Sequence, residues 1–402
     1  MKSYEELTEK ELLERLRAYM TFRRYLNPSI IDFIDQVQSY EYIPQITKVA
    51  EDMGVHASTV WKFMNFLKNK GLRFLGIIDL SRINAEEITL IFDNYIPYDE
   101  VFKGLLREYA PLLPVGTYLK YIVPKGSSEA FLNELLTRFP KEPRTVLRMT
   151  YTHTGKPNLK KYFDISSKEI IIDWDEIYES IKTSPKESVP KEVRRKTRFD
   201  IIDLFILRKL EVSPLDSLRK ITEELNKQLN PVTPINYIRV LRHYKNHIEA
   251  RGVVRGVKID PTPLYPIDTL PTKIMISGNP AELLRIIKVL TTHPYIPEAS
   301  LNSSDNVGLL SAYIPLSDAF EFSLFLERLK EGGFIRDWKA FYFDYQRHRR
   351  LALSLHLHGD SVSNVLRLDE SSLLVEEITT HLTLPSLDQL MRTRKNRRKG
   401  TS

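Results

Sequence analysis

One ordered series of segments occurs twice in this chain, and that recurrence limits the possible folds more than any single motif does. The first series reads SIIDFIDQVQ, QITKVAEDMG, HASTVWKFMNFLKNKG and LRFLGIIDLS; the second reads FDIIDLFILRKL, SLRKITEELNKQL and PINYIRVLRHYKNHIEARGVVRGVKID. Each is followed by alternating strand-like and helix-like runs. EITLIFDN, YDEVFKGLLREYA, VGTYLKYIVP, SSEAFLNELLTRF and RTVLRMTYTHT follow the first; TKIMISG, AELLRIIKVLTTH, VGLLSAYIP, SDAFEFSLFLERLKEG and FIRDWKAFYFDY follow the second. Solenoid repeats have periods of roughly 20 to 50 residues. Here roughly 170 residues separate Ser29 from Phe199, which indicates a duplicated pair of domains.

The sharpest stretch inside the repeat is His56 to Lys70. As a helix it places Val60, Phe63, Met64 and Leu67 at i, i+3, i+4 and i+7, one stripe for a core, and leaves a polar, basic face outside it. Upstream, Gln45 to Gly54 forms a second short helix with Ile46, Val49 and Met53 on one side, and Gly54 and Val55 supply the break. Two such helices around a glycine-containing turn make a helix-turn-helix, whose second helix enters the DNA major groove. The bland alternative is a helical hairpin with a solvated face. The strand-like runs after it supply a wing.

The alternating runs give the order βαββαβ twice, the ferredoxin-like split unit. The predicted fold class is therefore α+β: two winged helix-turn-helix domains (27–84 and 199–265) alternate with two ferredoxin-like βαββαβ domains (85–165 and 266–348). An N-terminal helix occupies 1–26, a basic linker 166–198, and a C-terminal extension with a basic tail 349–402.

Composition narrows the function classes. Of 402 residues 42% are hydrophobic and 28% charged, and the formal net charge is +7, which suits a folded protein with a polyanionic partner. The absence of cysteine excludes disulfides, thiol nucleophiles, iron–sulfur clusters and cysteine-ligated zinc. No apolar run of about 18 residues and no leader peptide stands out, so a cytoplasmic, nucleoid-associated protein is expected.

A winged helix-turn-helix followed by βαββαβ resembles the leucine-responsive regulator/AsnC family of bacterial and archaeal transcription regulators. HASTVWKFMNFLKNKG is similar to that family's recognition helix, which opens with small hydroxyl residues and ends in a glycine before a strand. The resemblance covers roughly 29–165 and 199–348. It implies pairing through the βαββαβ domains, here as a pseudo-dimer within one chain that reads an asymmetric DNA site; a homodimer is the alternative assembly. The glycines that shape the family's effector pocket lack counterparts in LPVGTYLKYIVP and LNSSDNVGLLSAYIP, so no effector is carried over.

The expected partner is double-stranded DNA. In the first copy Ser58 and Thr59 sit at a helix N-terminus suited to phosphate, and Lys62 and Asn65 would reach guanine and adenine edges. Trp61 either presses on the backbone or lies half-buried in the core. In the second copy Asn236, Arg239, Arg242, His243 and Asn246 lie off the apolar stripe of Ile235, Ile238, Leu241, Tyr244 and Ile248, with Arg251 and Arg255 flanking the wing. Any one of these also fits a solvated surface charge. Arg194, Arg195, Lys196 and Arg198, with the tail Arg392 to Lys399, add attraction that weakens with salt.

Signals for chemistry are sparse. His356 and His358 would project from one strand face with Asp360 behind them, a weak metal signature set against a plain polar face. No phosphate-binding loop, nucleophile elbow or dinucleotide fingerprint occurs, so the expectation is a non-enzyme without cofactor or metal. Two other readings stay open: an architectural chromatin protein that bridges or bends DNA, and an RNA-processing endonuclease using His243 or His293 as base.

Overall fold

The structure, a computed structural model, describes residues 23–139, 141–190, 199–229, 234–266, 268–353 and 377–378. The expected N-terminal helix (apart from 23–26), the arginine-rich part of the linker, His356, His358, Asp360 and the basic tail lie outside these residues. What is described is α+β, with one large antiparallel sheet.

Three helices come first: α1 (Pro28–Ser39), α2 (Ile46–Asp52) and α3 (Ala57–Asn69). Asn27 caps α1, accepting from the Ile30 amide, and Pro28 takes the first position, where no donor is needed. The turn before α3 pivots on Gly54 at φ +63°, a conformation costly for any residue with a Cβ. After β1 (Phe74–Ile78), the strands β2 (Ala85–Phe92), β3 (Leu106–Leu113) and β4 (Thr117–Pro124) lead to α4 (Ser128–Leu136), β5 (Thr145–Met149) and β6 (Tyr151–Thr154).

The helix expected over YDEVFKGLLREYA is absent. Residues Tyr98–Glu100 form one 3-10 turn, and Leu106–Leu113 is a strand hydrogen-bonded to β4. Pro111 removes a helical donor, and alternation along the strand puts Glu108 and Ala110 on one side and Leu106 and Tyr109 in a separate core. The first unit is therefore βββαβ; its helix position is covered by a loop through the buried Val101, Phe102 and Leu105.

Residues 159–183, read as domain edge and linker, also fold. α5 (Leu159–Tyr162), a short hairpin of β7 (Phe163–Asp164) and β8 (Glu169–Ile170), and α6 (Trp174–Thr183) precede the second half. Leu159, Tyr162, Ile177 and Ile181 are buried, and Trp174 packs on Phe322 and Phe325 with ring centroids 4.9 Å away in each case.

The second half runs α7 (Ile201–Val212), α8 (Leu218–Leu229), α9 (Tyr237–His243), a π-helical turn over Tyr244–Glu249, and β9 (Val254–Ile259). Its α+β part has the expected alternation: β10 (Thr269–Ser277), α10 (Pro280–Leu290), β11 (Glu298–Asn302), β12 (Val307–Pro315), α11 (Ala319–Glu331) and β13 (Asp337–Phe343), followed by β14 (Arg349–Leu351).

The sheet order is β5-β2-β4-β3-β13-β10-β12-β11-β6. Its two ends are consecutive stretches of one run: β5 pairs with β2, β6 with β11, and between them Thr150 donates its amide to Leu301. The sheet therefore closes on itself and surrounds an interior. Outside it lie two cores with crossed membership. The α1–α3 core is continuous with that of β10–β12, α10 and α11, whereas the α7–α9 core is continuous with that of β2–β4 and α4. Each helical trio thus packs with the half of the sheet that the other trio leads into.

A two-stranded sheet ties the trios together, with Phe74 opposite Ile259 and Gly76 opposite Val257. A Cβ on Gly76 would lie 2.3 Å from the Leu210 carbonyl oxygen of α7, and one on Gly256 (φ +105°) 2.3 Å from that of Tyr40, which caps α1. Each strand runs against the end of the other trio's first helix.

His293, weighed above as a catalytic base, is fully buried between α5 and α6. Its Nδ1 accepts from the Tyr295 amide, leaving Nε2 to donate to the Ile171 carbonyl 3.3 Å away. Burial pushes its pKa down to about 4 from an ordinary 6.5. Between those values the unfolded chain takes up a proton that the folded chain refuses. The stability contributed is fully present above pH 6.5 and should fall by about 3 kcal/mol as pH drops toward 4. Urea titrations of wild type and His293→Gln at several pH values check this; parallel pH profiles would refute it.

Candidate functional site

On α3, Val60 and Leu67 are buried as the spacing predicts, while Phe63 and Met64 are half-buried. Phe63 packs on Phe33 at a centroid separation of 5.3 Å. Ser58, Trp61, Lys62 and Asn65 are exposed and Thr59 half-buried. Trp61 is half exposed, 50%, so its indole is not a core group. His56 caps the helix, its Nδ1 accepting from the Ser58 amide. From His56 to Lys70 there is no acidic residue.

On α9 the buried face differs from the predicted stripe. Val240 and Ile248 are buried, but Ile238 is 59% exposed. The π turn accounts for part of the shift, since a wider turn changes the phase of the residues beyond it. Arg239, Arg242 and Asn246 are exposed. Asn236 is exposed too, but its carbonyl oxygen caps α9 by accepting from the Arg239 amide at 2.8 Å. His243 turns inward, its Nδ1 2.9 Å from Oδ1 of the buried Asp203. Arg251 lies over the Phe199 ring, and Arg255 is ion-paired with Asp79 at the mouth of a cavity. Of the seven second-copy residues, the structure brings Asn236, Arg239, Arg242 and Asn246 to one exposed stretch of helix. It places His243, Arg251 and Arg255 elsewhere.

A different constellation occupies the inside of the closed sheet. Along β2, Ile88, Leu90 and Phe92 point out to the α4 core, so Glu87 and Thr89 point in. Lys120 on β4 bridges Glu87, at 3.1 Å, and Glu298 of β11. Glu108 of β3 meets Lys273 at 2.8 Å and His348 at 2.9 Å, and Arg350 meets the second oxygen of Glu298 at 3.1 Å. Burial opposes the charge of Glu298, yet Lys120, Arg350 and Lys273 hold its carboxyl well below the usual range. Glu108 is likewise held low against burial by Lys273 and His348. Lys120 stays above the usual lysine range because Glu298, Glu87 and Glu108 outweigh its burial.

This ionic layer opens into space. A small cavity of about 80 Å³ is lined by Glu87, Lys120, Lys258, Glu298 and Arg350, among others. Across Ile77, Ile78, Glu87, Thr152 and Thr154 it adjoins a larger one of about 530 Å³, whose wall carries Lys125, Arg148, Lys156, Arg255 and Lys288. Burial pushes the Lys258 amine down to about 8, with Glu298 opposing. Three buried polar atoms have no hydrogen-bond partner: Glu87 Oε1, Thr89 Oγ1 and Tyr118 OH. Such atoms cost free energy unless something satisfies them. Chemically, the chamber offers fixed charges of both signs and an amine whose proton is mobile near neutrality.

The sequence reading missed this chamber. Its signal was a polar side chain at every second position of otherwise apolar runs, Glu87 and Thr89 in EEITLIF and Tyr118 and Lys120 in TYLKYIV. In an open sheet that pattern means a solvent face; only closure turns it inward.

The sequence matches no protein-family model and no curated protein. Among solved structures it is similar to a crystal structure of the siroheme decarboxylase NirDL, at 12% identity and a TM-score of 0.42 over 79% of this chain and 91% of that one. A second, of NirDL in co-complex with an iron-uroporphyrin III analogue, gives 12%, 0.41, 79% and 92%. The expectation of a non-enzyme is corrected on this finding, because both structures are of an enzyme. At this level the likeness assigns no activity, substrate or residue role to this chain. Among the described residues no helix is long and apolar enough to cross a membrane.

Proposed function

We propose that the chain is a DNA-binding regulator that presents α3 and α9 as two non-identical readers from a single polypeptide. What carries the reading is the reciprocal coupling of the trios through β1 and β9, with each third helix keeping a polar face in solvent. The two faces have the right charge: α3 carries no acid, and Glu249, the one acid in the stretch from Asn236 to Glu249, is held by Lys245. Lys62 and Asn65 on one side and Arg239 and Arg242 on the other are the base-reading candidates. The paired strands fix both helices to one frame, so an asymmetric site with fixed half-site spacing is expected.

Selection from a random DNA pool, then gel shifts and footprinting, tests it. Replacing Lys62 and Asn65, or Arg239 and Arg242, by alanine should each weaken binding by about 10- to 100-fold, at about 1–3 kcal/mol per base contact. Loss of a phosphate contact should also flatten the salt dependence, by about one unit of slope per contact. Affinity unchanged in both pairs would sink the reading. Uniform footprints without preferred sites would move it to the architectural protein.

The chamber favours a second reading, compatible with the first: a small anionic molecule binds where the two cavities meet. Its support is the set of unsatisfied buried polar atoms beside a cation-lined mouth. Thermal-shift screening of carboxylated and phosphorylated small molecules, against wild type and Arg255→Gln/Lys288→Gln, tests it. A hit whose shift survives both substitutions would count against this placement.

A further inference from the structure

Asp203, His243 and His247 bring three ligand atoms within 4.8 Å of one another, in one set from two helices. The set owes its shape to local structure. Asp203 is the third residue of α7 and part of a capping box with Asp200: Asp200 Oδ1 accepts from the Ile202 and Asp203 amides, and Asp203 Oδ2 accepts from the Asp200 amide. That reciprocal pair fixes the Asp203 carboxylate, which is fully buried. His243 is the last residue of α9, and His247 lies in the π-helical turn directly after it. Residues four apart on a helix face the same way. Both rings present Nδ1 to Asp203: His243 at 2.9 Å from Oδ1, and His247 at 2.9 Å from each oxygen. Asp200 Oδ1 stands 3.5 Å from His243 Nδ1.

We propose that this set is a binding site for one divalent first-row transition metal ion, zinc being the probe, with Asp203, His243 and His247 as protein ligands. Two imidazoles and a carboxylate are the donor set such ions prefer when no thiol is present, and the chain has no cysteine. With both rings neutral, Asp203 and Asp200 leave the site with two negative charges, which a dication neutralises. No net proton release is needed: each ring binds through Nδ1 and carries its proton on Nε2. In a tetrahedral zinc site neighbouring ligand atoms sit about 3.3 Å apart, so the 2.9 Å separations open by a few tenths of an ångström on binding. Asp200 or water completes the shell.

The placement gives the ion a mechanical role. It joins the C-terminal part of α9 and its π turn to the N-terminus of α7, and so braces the helix that carries Arg239 and Arg242. The binding claim itself is independent of what that helix touches.

The test uses the full-length protein and Zn²⁺ alone. After stripping with chelator, titration against a chromophoric competitor should show one tight site per chain. His243→Gln and His247→Gln should each weaken it by more than about 100-fold, since a lost ligand matters more than an outer-shell change. A His356→Gln/His358→Gln double variant should leave it intact. Circular dichroism confirms that each variant folds. Co²⁺ offers a second readout, a visible absorption band that shifts or vanishes in His247→Gln. Absence of a tight site in the folded wild type overturns the proposal, as does a tight site that survives both single substitutions.

Discussion

Replacing Lys120 by methionine is expected to destabilise the protein by about 3–5 kcal/mol, the usual cost of removing one partner from a buried ion pair. The number comes from position. Lys120 is buried between Glu87 and Glu298, and methionine fills its volume without its charge, so two carboxylates are left facing each other away from water. The urea midpoint should fall with little change in slope. Acid should narrow the gap. The depressed Glu298 carboxyl contributes stability that is present above the ordinary 4.5 and lost as pH falls toward its folded value. In Lys120→Met that carboxyl rises, so mild acid neutralises it and the variant loses less than wild type. A loss below about 1 kcal/mol would mean that water reaches this layer and screens it as at a surface.

The second large effect is expected at Gly256. A methyl group there meets the Tyr40 carbonyl oxygen at 2.3 Å, and the residue stands at φ +105°. Backbone strain and overpacking each cost about 1–3 kcal/mol, so Gly256→Ala should lose on the order of 3 kcal/mol. Gly126→Ala is the control: φ is +83° there, but nothing lies within 4 Å of the added carbon. The difference between the two isolates the strand-to-helix contact. If the trios read DNA as one frame, Gly256→Ala should also loosen the half-site spacing tolerated in a gel shift. Equal losses in the two variants would show that the approach of β9 to α1 is not tight.

Legibility in the sequence tracked the range of the forces involved. Helices α1, α3, α7, α10 and α11 were readable because their apolar spacing, caps and flanking breaks are local. The run Leu106 to Leu113 was misread because a single apolar stretch suits either helix or strand; the hydrogen-bonding edge of β4 decided between them. The stripe on α9 was misread at Ile238 because the π turn at Tyr244–Glu249 leaves no mark in residue spacing. His243 was assigned to the outer face for the same reason, and only the position of Asp203, forty residues away in sequence, shows where its ring goes.

By itself the sequence determined the α+β class, the order of elements in most of both halves and the absence of thiol chemistry, since each depends on residues within a few positions or on composition. Only the tertiary structure decided that the sheet closes, that each helical trio packs on the other half, and that Glu87, Glu108, Lys120, Glu298 and Arg350 form one buried layer. Those outcomes depend on which strand edges meet. That choice is made by backbone pairing and charge compensation between segments far apart in the chain, and such pairings leave no periodic trace within any one of them.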